Sequence, residues 1–430
     1  MMTVALGGAF LLFLLLFSGM PVAFAMLVSS MVGLYFTGGI FPLIGLLKSG
    51  PYEAVASYTL STLPMFVLIG SFLTVSNFTR DLFEAGHRWL GHIRGGLAYA
   101  AVAGGVLLAA ISGSSSAAAA MLAKAAYPEM KRYGYADSFS TGTLAVVGTL
   151  AIMIPPSLGL VLFGVFTETS VGKLLIAGVV PGLLTAVGYA IAIRITLRRN
   201  LELAPDAGKR FPMRERVASL RGTWPLLLLM VVTIGSIYSG AITPTEVGAV
   251  GALFALMLAL VMGRMGWRAF RDALADATRT SSMILTIIAT SAVFGAFLTL
   301  TGVTQTLIGA VQAAHIPPYA VLFAVMVFLV VLGCFLDQIA ILVLTLPLIF
   351  PLLTGLGFDP IWLGVLYVKT CEIGFITPPM GMNGFVVAGA TGVPTRHVFK
   401  GIRPYIVAEI ALLVLLVAFP QISLWLPNRM

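Results

Sequence analysis

The sequence predicts an all-α polytopic membrane protein built from two inverted repeats, each with a re-entrant hairpin and a broken helix. Of its 430 residues, 59% are hydrophobic and only 10% are charged, and the mean hydropathy is +1.04. Several apolar runs have the ~20-residue length that crosses a ~30 Å hydrocarbon core. Two proline pairs, Pro155-Pro156 and Pro378-Pro379, interrupt such runs, and their positions define a constant shift in numbering (378 − 155 = 223).

Charge and cysteine content exclude several other classes. The net charge is +9, but the basic residues gather in a few connecting segments. Lys and Arg are enriched in the cytoplasmic loops of membrane proteins, so we expect a lipid bilayer, and not nucleic acid, as the partner of this charge. Cys334 and Cys371 lie in apolar surroundings, which indicates neither a disulfide framework nor a thiolate metal site. The first apolar run lacks a basic segment before it and is interpreted as a retained span, not a cleaved signal.

We divide the chain into four parts. Residues 1–59 are predicted to form N-terminal scaffold helices, with apolar segments at 4–18 and 21–39 and then a mildly polar connection that contains Lys48 and Glu53. The other parts are a first inverted repeat (60–195), connecting scaffold helices with basic cytoplasmic loops (196–281), and a second inverted repeat (282–430).

The first repeat is predicted to contain five elements. They are a crossing at 60–76, an amphipathic interfacial arm at 77–96, a hairpin at 97–127, a broken helix at 139–167 and a span reaching 195. The hairpin is indicated by the sequence SGSSS at 112–116, in the centre of an otherwise apolar run that Pro128 closes. The helix break is predicted at Pro155-Pro156, because proline removes a backbone donor and clashes with the preceding turn.

The connecting part carries the clearest orientation signal. Eight Arg or Lys residues lie between 194 and 221, which places this loop in the cytoplasm. Crossings at 223–239 and 247–262 are joined outside by the sequence ITPTE (242–246). A basic segment at 264–279 then returns to the cytoplasmic side.

The second repeat follows the first at the shift that the proline pairs define. The shift matches other prolines and glycines that fix backbone breaks, among them Pro128 with Pro351, Gly134 with Gly357, Gly178 with Gly401 and Pro181 with Pro404. The charges are reversed: the arm at 77–96 contains three arginines, whereas its equivalent at 300–319 contains no Arg, Lys, Asp or Glu. One copy is therefore predicted to be upside down. We count about ten crossings and two hairpins, with both termini outside.

Four interrupted segments are expected to meet midway through the membrane. They are the SGSSS tip, the break at Pro155-Pro156, the second hairpin near 335–340, and the sequence EIGFITPPMGMN at 372–383. Half-helix N-termini offer unpaired N–H groups and positive dipole ends to an anion, while unwound carbonyls and Ser, Thr or Asn oxygens suit Na⁺. One cavity is therefore predicted to hold an anionic solute together with a coupling ion.

Each candidate residue also has a purely structural interpretation. Ser114–Ser116 and Asp337 are suited to capping the half-helices that follow them. Lys369 and Glu372 stand three residues apart and could neutralise each other, and Lys124 could extend toward the cytoplasm. For Asn383 a functional role is favoured over a structural one, because an amide beside a helix break needs hydrogen-bond partners and a ligand or ion can supply them.

The motifs resemble a known family. They are SGSS, PEMKRYGY (128–135), IPPS (154–157), ITPTE, FLD (335–337) and EIGFITPPMGMN. In this order they are similar to the large, DctM-like membrane subunit of tripartite ATP-independent periplasmic (TRAP) transporters. The resemblance implies an elevator-type ion-transporter fold in the bacterial inner membrane, importing a carboxylate-bearing solute with a Na⁺ gradient as the driving force. It also implies a small four-helix membrane subunit, here a separate polypeptide, and a periplasmic substrate-binding protein.

By the same resemblance, site residues can be named. Cation binding is expected at two places, with Na⁺ as the coupling ion, and the residues are Ser114, Ser115, Pro155, Asp337, Thr377, Gly381 and Asn383. Solute binding is expected at Ser116, Pro156, Ser157 and Asn383. Gln338 departs from the family pattern, because proline often follows FLD there. An H⁺-coupled or stand-alone carboxylate transporter of the wider ion-transporter superfamily is the alternative.

Two other functions are less favoured. An intramembrane hydrolase would use Ser115 as nucleophile and Lys124 as base, but the lysine lies more than two helical turns along, beyond hydrogen-bond reach. A channel needs an open path, whereas hairpins that enter from opposite faces suggest a site exposed alternately. The sequence therefore predicts a transporter and no catalytic residues.

Overall fold

The computed structural model of the protein describes residues 1–76, 78–205, 210–239 and 242–429. Every regular element within these ranges is a helix. A helix pairs its backbone groups internally, which lipid demands of a spanning segment. Residue 77 of the predicted arm and residues 206–209 of the predicted basic loop lie outside the described residues.

Three helices precede the repeats: α1 (Met2–Phe17), α2 (Val22–Gly38) and α3 (Ile40–Val55). The prediction of a connection around Lys48 and Glu53 was wrong, because this segment is helix α3. Its apolar residues Leu43, Leu46 and Leu47 pack into a core shared with α2, while Lys48 and Glu53 stay exposed. Packing of its apolar face against neighbouring helices stabilises α3, although its charged residues suggested a polar connection.

The first repeat contains eight helices: α4 (Thr62–Val75), α5 (Phe78–Leu90), α6 (Gly96–Ser112), α7 (Ser115–Arg132), α8 (Asp137–Val147), α9 (Leu150–Met153), α10 (Leu158–Phe166) and α11 (Val171–Arg199). The hairpin α6–α7 and the break between α9 and α10 are where the sequence predicts them. Pro128 does not close the hairpin, because α7 continues through it to Arg132. Packed neighbouring helices allow such prolines inside membrane helices.

Within its described residues, the connecting part contains three complete α-helices: α12 (Met213–Ser219), α13 (Trp224–Tyr238) and α14 (Pro244–Val261). Part of the predicted basic loop is therefore helical, within the end of α11 and in α12. The ITPTE sequence starts α14 with a capping box, in which Thr243 Oγ1 accepts from the Glu246 N–H at 3.4 Å and Glu246 Oε2 accepts from the Thr243 N–H at 2.7 Å.

The second repeat contains eight further helices: α15 (Trp267–Thr301), α16 (Val303–Ala313), α17 (Pro318–Gly333), α18 (Gln338–Gly355), α19 (Pro360–Ile376), α20 (Met382–Thr391), α21 (Thr395–Ala418) and α22 (Gln421–Leu424). The 35-residue α15 joins the basic segment at 264–279 to the first crossing of the repeat. The predicted boundary at 281/282 therefore falls inside one continuous helix.

The shift between the proline pairs also superimposes the elements of the two copies. It carries both ends of α7 onto both ends of α18 (338 − 115 = 355 − 132 = 223) and carries the start of α8 and the end of α9 onto the ends of α19. The peptide bonds Pro155-Pro156 and Pro378-Pro379 are both cis, and Gly134 and Gly357 both have positive φ. The repeat predicted from prolines and glycines is thus present in the backbone.

The copies pack against each other reciprocally. Helix α8 contacts α21 while its counterpart α19 contacts α11, and α7 contacts α20 while α18 contacts α10. Such exchanged contacts are the mark of a two-fold relation, here within one chain. With the reversed charges of the two arms, they make the fold an inverted repeat.

The paired glycines explain how closely these helices approach. A Cβ on Gly401 of α21 would lie 1.8 Å from the Ser138 carbonyl oxygen of α8, and one on Gly178 of α11 would lie 2.4 Å from the Met153 carbonyl oxygen of α9. Small residues permit such crossings where lipid gives no hydrophobic drive for helix association.

Six described helical segments of 18 or more residues are long and apolar enough to cross a membrane, or seven if the bent pair Met213–Gly222 and Leu227–Tyr238 forms one span. Five shorter apolar helices accompany them, including α1, α2 and α17. The count of about ten crossings includes several of these shorter helices and stays a prediction.

Candidate functional site

Both hairpin tips and the second broken helix border one cavity of about 180 Å³. Residues 113–116 from the first tip, 337–339 from the second tip, and Phe375, Met382 and Asn383 from the broken helix line it. Three residues of α15 also line it: Thr280, Met283 and Ile284. A space of this size suits a small solute and not a polymer.

Four helices begin at this cavity. Their first residues, Ser115 of α7, Leu158 of α10, Gln338 of α18 and Met382 of α20, all line it. The first N–H groups of a helix have no intrahelical acceptor, and the aligned peptide dipoles place partial positive charge there. Four such termini facing one small space create a site that favours negative charge.

Local sequence explains why the helices begin at these points. Gly113 ends α6 with φ +56°, and a Cβ there would lie 3.3 Å from the Pro156 carbonyl oxygen. The first helix break therefore lies directly against the first hairpin tip. Ser157 Oγ caps α10 by accepting from the Leu160 N–H at 3.2 Å, and Asp337 Oδ1 caps α18 by accepting from the Ala340 N–H at 2.8 Å.

Asn383 joins the two repeats at the cavity wall. Its Nδ2 donates to Ser115 Oγ at 2.7 Å and to the Ala145 carbonyl oxygen at 3.0 Å. The carbonyl is free because the Thr149 N–H bonds Val146 instead, where α8 gives way to α9. A carbonyl only accepts, so the amide orientation is fixed and Asn383 Oδ1 keeps no donor among the described residues.

The cavity wall carries one carboxylate and one amide of special interest. Among the described residues that line the cavity, Asp337 is the only acidic one, and only its Oδ1 is used by the helix cap. Gln338 is buried, and its Nε2 has no hydrogen-bond partner in the described part of the chain. A donor in that state is available to a bound acceptor.

The structure brings some of the predicted site residues together and separates others. Those that line the cavity are Ser114, Ser115, Ser116, Asp337 and Asn383. Pro155, Pro156 and Ser157 are buried behind its wall and do not line it, and neither do Thr377 and Gly381.

The two broken helices also differ in exposure. Pro378, Pro379 and Met380 are exposed, unlike their buried counterparts in the first copy. The capping interpretation holds for Asp337, whereas the Ser114 side chain makes no cap hydrogen bond to α7.

Sequence reasoning missed two residues and explained two others. Lys369 and Glu372 form the predicted ion pair, with Nζ 2.7 Å from Oε2. Glu409 of α21, which the sequence did not predict to take part, also pairs with Lys369, with Oε2 2.5 Å from the same Nζ. An acidic residue inside the apolar run of α21 was the available signal for Glu409. The second missed residue is Gln338, and the available signal was that glutamine stands where proline often follows FLD in the family.

Lys124 is exposed and lines a separate cleft of about 730 Å³ between α5 and α7. It does not line the cavity beside Ser115, which agrees with the interpretation that the Lys124 side chain extends away from the site. The serine–lysine pair required by the hydrolase hypothesis is therefore not assembled.

Inverted repeats whose half-helices begin at a shared cavity are the architecture of many secondary transporters. A family model, "Tripartite ATP-independent periplasmic transporter, DctM component", matches residues 9–422. The chain belongs to this family.

Relatives agree with the family assignment, and a solved structure shares the fold. The chain is 38% identical to the C4-dicarboxylate TRAP transporter large permease protein DctM of Pseudomonas aeruginosa, over 88% of each chain. It is 31% identical to the sialic acid TRAP transporter large permease protein SiaM of Vibrio cholerae, over 96% of each. The fold is similar to the crystal structure of the Alcanivorax borkumensis YdaH transporter, with a TM-score of 0.67 and 13% identity over 90% of this chain and 89% of that one.

Proposed function

We propose that this subunit imports a small organic anion by coupling it to a cation gradient, with Na⁺ as the cation. The observation that carries the proposal is the convergence of four helix N-termini on a cavity that also contains Asp337. The solute class we propose is a carboxylate, such as a C4-dicarboxylate, a sugar acid or sialic acid, in keeping with the names of the relatives.

The anion is recognised by backbone and amide donors. The first N–H groups of α7, α10, α18 and α20 supply charge-assisted hydrogen bonds, and Gln338 Nε2 supplies a side-chain donor. Ser116 contributes a hydroxyl at the first tip. Recognition through helix termini depends on charge and size more than on the carbon skeleton, which fits a family whose relatives are named for different solutes.

Cation binding follows from the carboxylate in the wall. Asp337 repels an anionic solute in a cavity where charges are poorly screened, so solute binding requires a compensating cation. The donors that fit Na⁺ are Asp337 and the oxygen atoms of Asn383, Ser115 and Ser114. Because each ion makes the other more favourable to bind, the arrangement couples the two. Roles for Pro155, Thr377 and Gly381 as ligands remain predictions.

H⁺ coupling is the alternative. It rests on one specific observation, that a single acidic side chain lines the cavity. Protonation of Asp337 would remove the same repulsion that Na⁺ offsets. The two mechanisms differ in which gradient drives uptake.

The movement we propose is an elevator motion. The cavity is lined by both hairpins and the broken helix together with α15, and α15 packs against α2, α3 and α4. A site at the border between two packed units is opened to one side and then the other when one unit slides past its neighbour. The hairpins and broken helices are the moving unit, and α15 belongs to the scaffold.

Membership of the family supports a proposal for the partners and for the placement in the membrane. We infer a small four-helix membrane subunit and a periplasmic binding protein that delivers the solute. We place the chain in the bacterial inner membrane with both termini in the periplasm. The basic ends of α11 and α12 support a cytoplasmic location for that loop.

Reconstitution of all three components in proteoliposomes tests the proposal. A labelled C4-dicarboxylate and labelled sialic acid are offered with their binding proteins, under an inward Na⁺ gradient or an inward proton gradient. We expect uptake of at least one solute under the Na⁺ gradient, and only when all components are present. Uptake driven by protons without Na⁺ would select the alternative, and transport by this chain alone would contradict the tripartite requirement.

A further inference from the structure

A buried polar network lies apart from the cavity. Lys369 Nζ of α19 is 2.7 Å from Glu372 Oε2, 2.5 Å from Glu409 Oε2 and 2.9 Å from Thr185 Oγ1, to which it donates. Tyr189 of α11 donates to Glu409 Oε1. The side chains of the lysine and both glutamates have no exposed surface.

The network connects the two broken helices. It begins at Thr149, which is 2.7 Å from the Tyr189 hydroxyl and lies shortly before Pro155 in the first copy. It ends at Glu372, at the matching distance before Pro378 in the second copy. Thr149 and Glu372 are therefore equivalent positions of the two repeats, and they are joined through Tyr189, Glu409 and Lys369 (155 − 149 = 378 − 372).

The formal charges in this network do not balance. Two carboxylates face one ammonium group, and the ion pairs of both glutamates go to Lys369 alone in the described part of the chain. The other titratable groups nearby are Tyr189, Tyr405 packed edge-on against it, and Cys371 beside Glu372, none of which supplies positive charge. An uncompensated charge buried among apolar helices costs several kcal/mol.

We propose that this triad of Lys369, Glu372 and Glu409 binds one proton, which makes it neutral. The proton resides on Glu372. Glu409 accepts from Tyr189 at Oε1 and forms an ion pair with Lys369 at Oε2, so each of its oxygens faces a positive or donating group, as in an ionised carboxylate. Glu372 faces Lys369 at Oε2, and its Oε1 has neither a hydrogen bond nor an ion pair among the described residues. A bare carboxylic acid oxygen is cheaper to bury than a bare carboxylate oxygen.

The proton is a structural component and not the coupling ion. None of the three side chains has an exposed surface, and none of them lines the cavity at the helix termini. A proton without a water path remains in place while the transporter moves. The neutral triad then holds α19 to α11 and α21 without repulsion.

Infrared difference spectroscopy on the full-length protein in lipid tests the proton directly. A protonated carboxyl has a C=O stretch separate from the carboxylate bands. The wild-type protein should show one such buried group that Glu372→Gln removes. Glu409→Gln should remove it too, because Glu372 then ionises to pair with Lys369.

Stability provides a second, independent reading. Each single Glu→Gln variant should melt near the wild-type temperature and retain Na⁺-driven uptake, because the triad stays neutral without its proton. The double variant leaves Lys369 uncompensated and should melt lower, and adding Lys369→Met to it should restore the melting temperature. The proposal would be overturned if the wild-type protein lacked the protonated-carboxyl band, or if Glu372→Gln folded but lost uptake.

Discussion

Asn383 of α20 donates a 2.7 Å hydrogen bond to Ser115 Oγ of α7, across 268 residues of sequence. This bond ties the second half of the second broken helix to the tip of the first hairpin. The second donation from Asn383, to the Ala145 carbonyl oxygen, adds the first broken helix to the same junction. One amide side chain thus holds three of the four interrupted segments around the cavity.

Replacing either partner should weaken transport more than folding. Asn383→Ala removes two donated bonds and the free Oδ1, and Ser115→Ala removes the acceptor, so each should cost about 1–3 kcal/mol of stability. Both should reduce Na⁺-dependent uptake by about tenfold or more, since ~1.4 kcal/mol of cation binding is tenfold. Thr391→Val, on α20 but away from the cavity, is the matched control. Full uptake by both alanine variants would contradict a role for this junction.

Asp337 is expected to set the cation dependence of uptake. Asp337→Asn keeps a residue that caps α18 but removes the charge, so the protein should fold while the half-saturating Na⁺ concentration rises by about tenfold. Asp359→Asn is the control, because Asp359 caps α19 by accepting from the Ile361 N–H at 2.9 Å and lies outside the cavity. Na⁺ titrations of uptake give the comparison. An equal shift in both variants would indicate a capping effect only.

The glycine contact between α21 and α8 should be intolerant of a methyl group. Gly401→Ala places a Cβ where the Ser138 carbonyl oxygen lies, and overpacking of this kind costs about 1–3 kcal/mol. Gly389→Ala in α20 meets no atom within 4 Å and should leave stability unchanged or raise it slightly. Thermal unfolding of the two variants in detergent is the measurement. Equal melting temperatures would argue against close packing of the repeats.

Membrane topology can be measured with single cysteines. Arg198, Arg268 and Thr243 are exposed, and the native Cys334 and Cys371 are buried, so background labelling should be low. An impermeant maleimide should label Arg198→Cys and Arg268→Cys only from the cytoplasmic side, and Thr243→Cys only from outside. Labelling of all three from one side would refute the assigned orientation.

The sequence predicted the helix breaks well because proline and glycine act locally. Pro155-Pro156 and Pro378-Pro379 block hydrogen bonds within a turn of themselves, whatever surrounds them. Their spacing revealed the repeat, and the repeat predicted that the interrupted segments meet. Charge asymmetry between the two arms, also a local property, predicted the inversion.

The sequence-based predictions were wrong or incomplete for features that depend on tertiary contacts. Helix α3 is stabilised by packing on α2, and the sequence of α3, with its polar residues, does not reveal this packing. Glu409 is paired with Lys369, which belongs to a different helix, so its role appears only when α19 and α21 are seen together. Pro155 breaks the helix but lies behind the cavity wall, because a residue that causes a break need not face the space that the break creates.

The central claim is that solute and cation bind together in the cavity at the four helix termini. Ile339→Cys introduces a thiol into its wall, and Thr243→Cys, exposed and outside the cavity, serves as control. The measurement is the rate of maleimide labelling in the reconstituted protein with solute, Na⁺, both or neither. We predict that labelling of Ile339→Cys slows markedly only when both are present, while the control is unaffected. Labelling at an unchanged rate under conditions that saturate uptake would contradict the account.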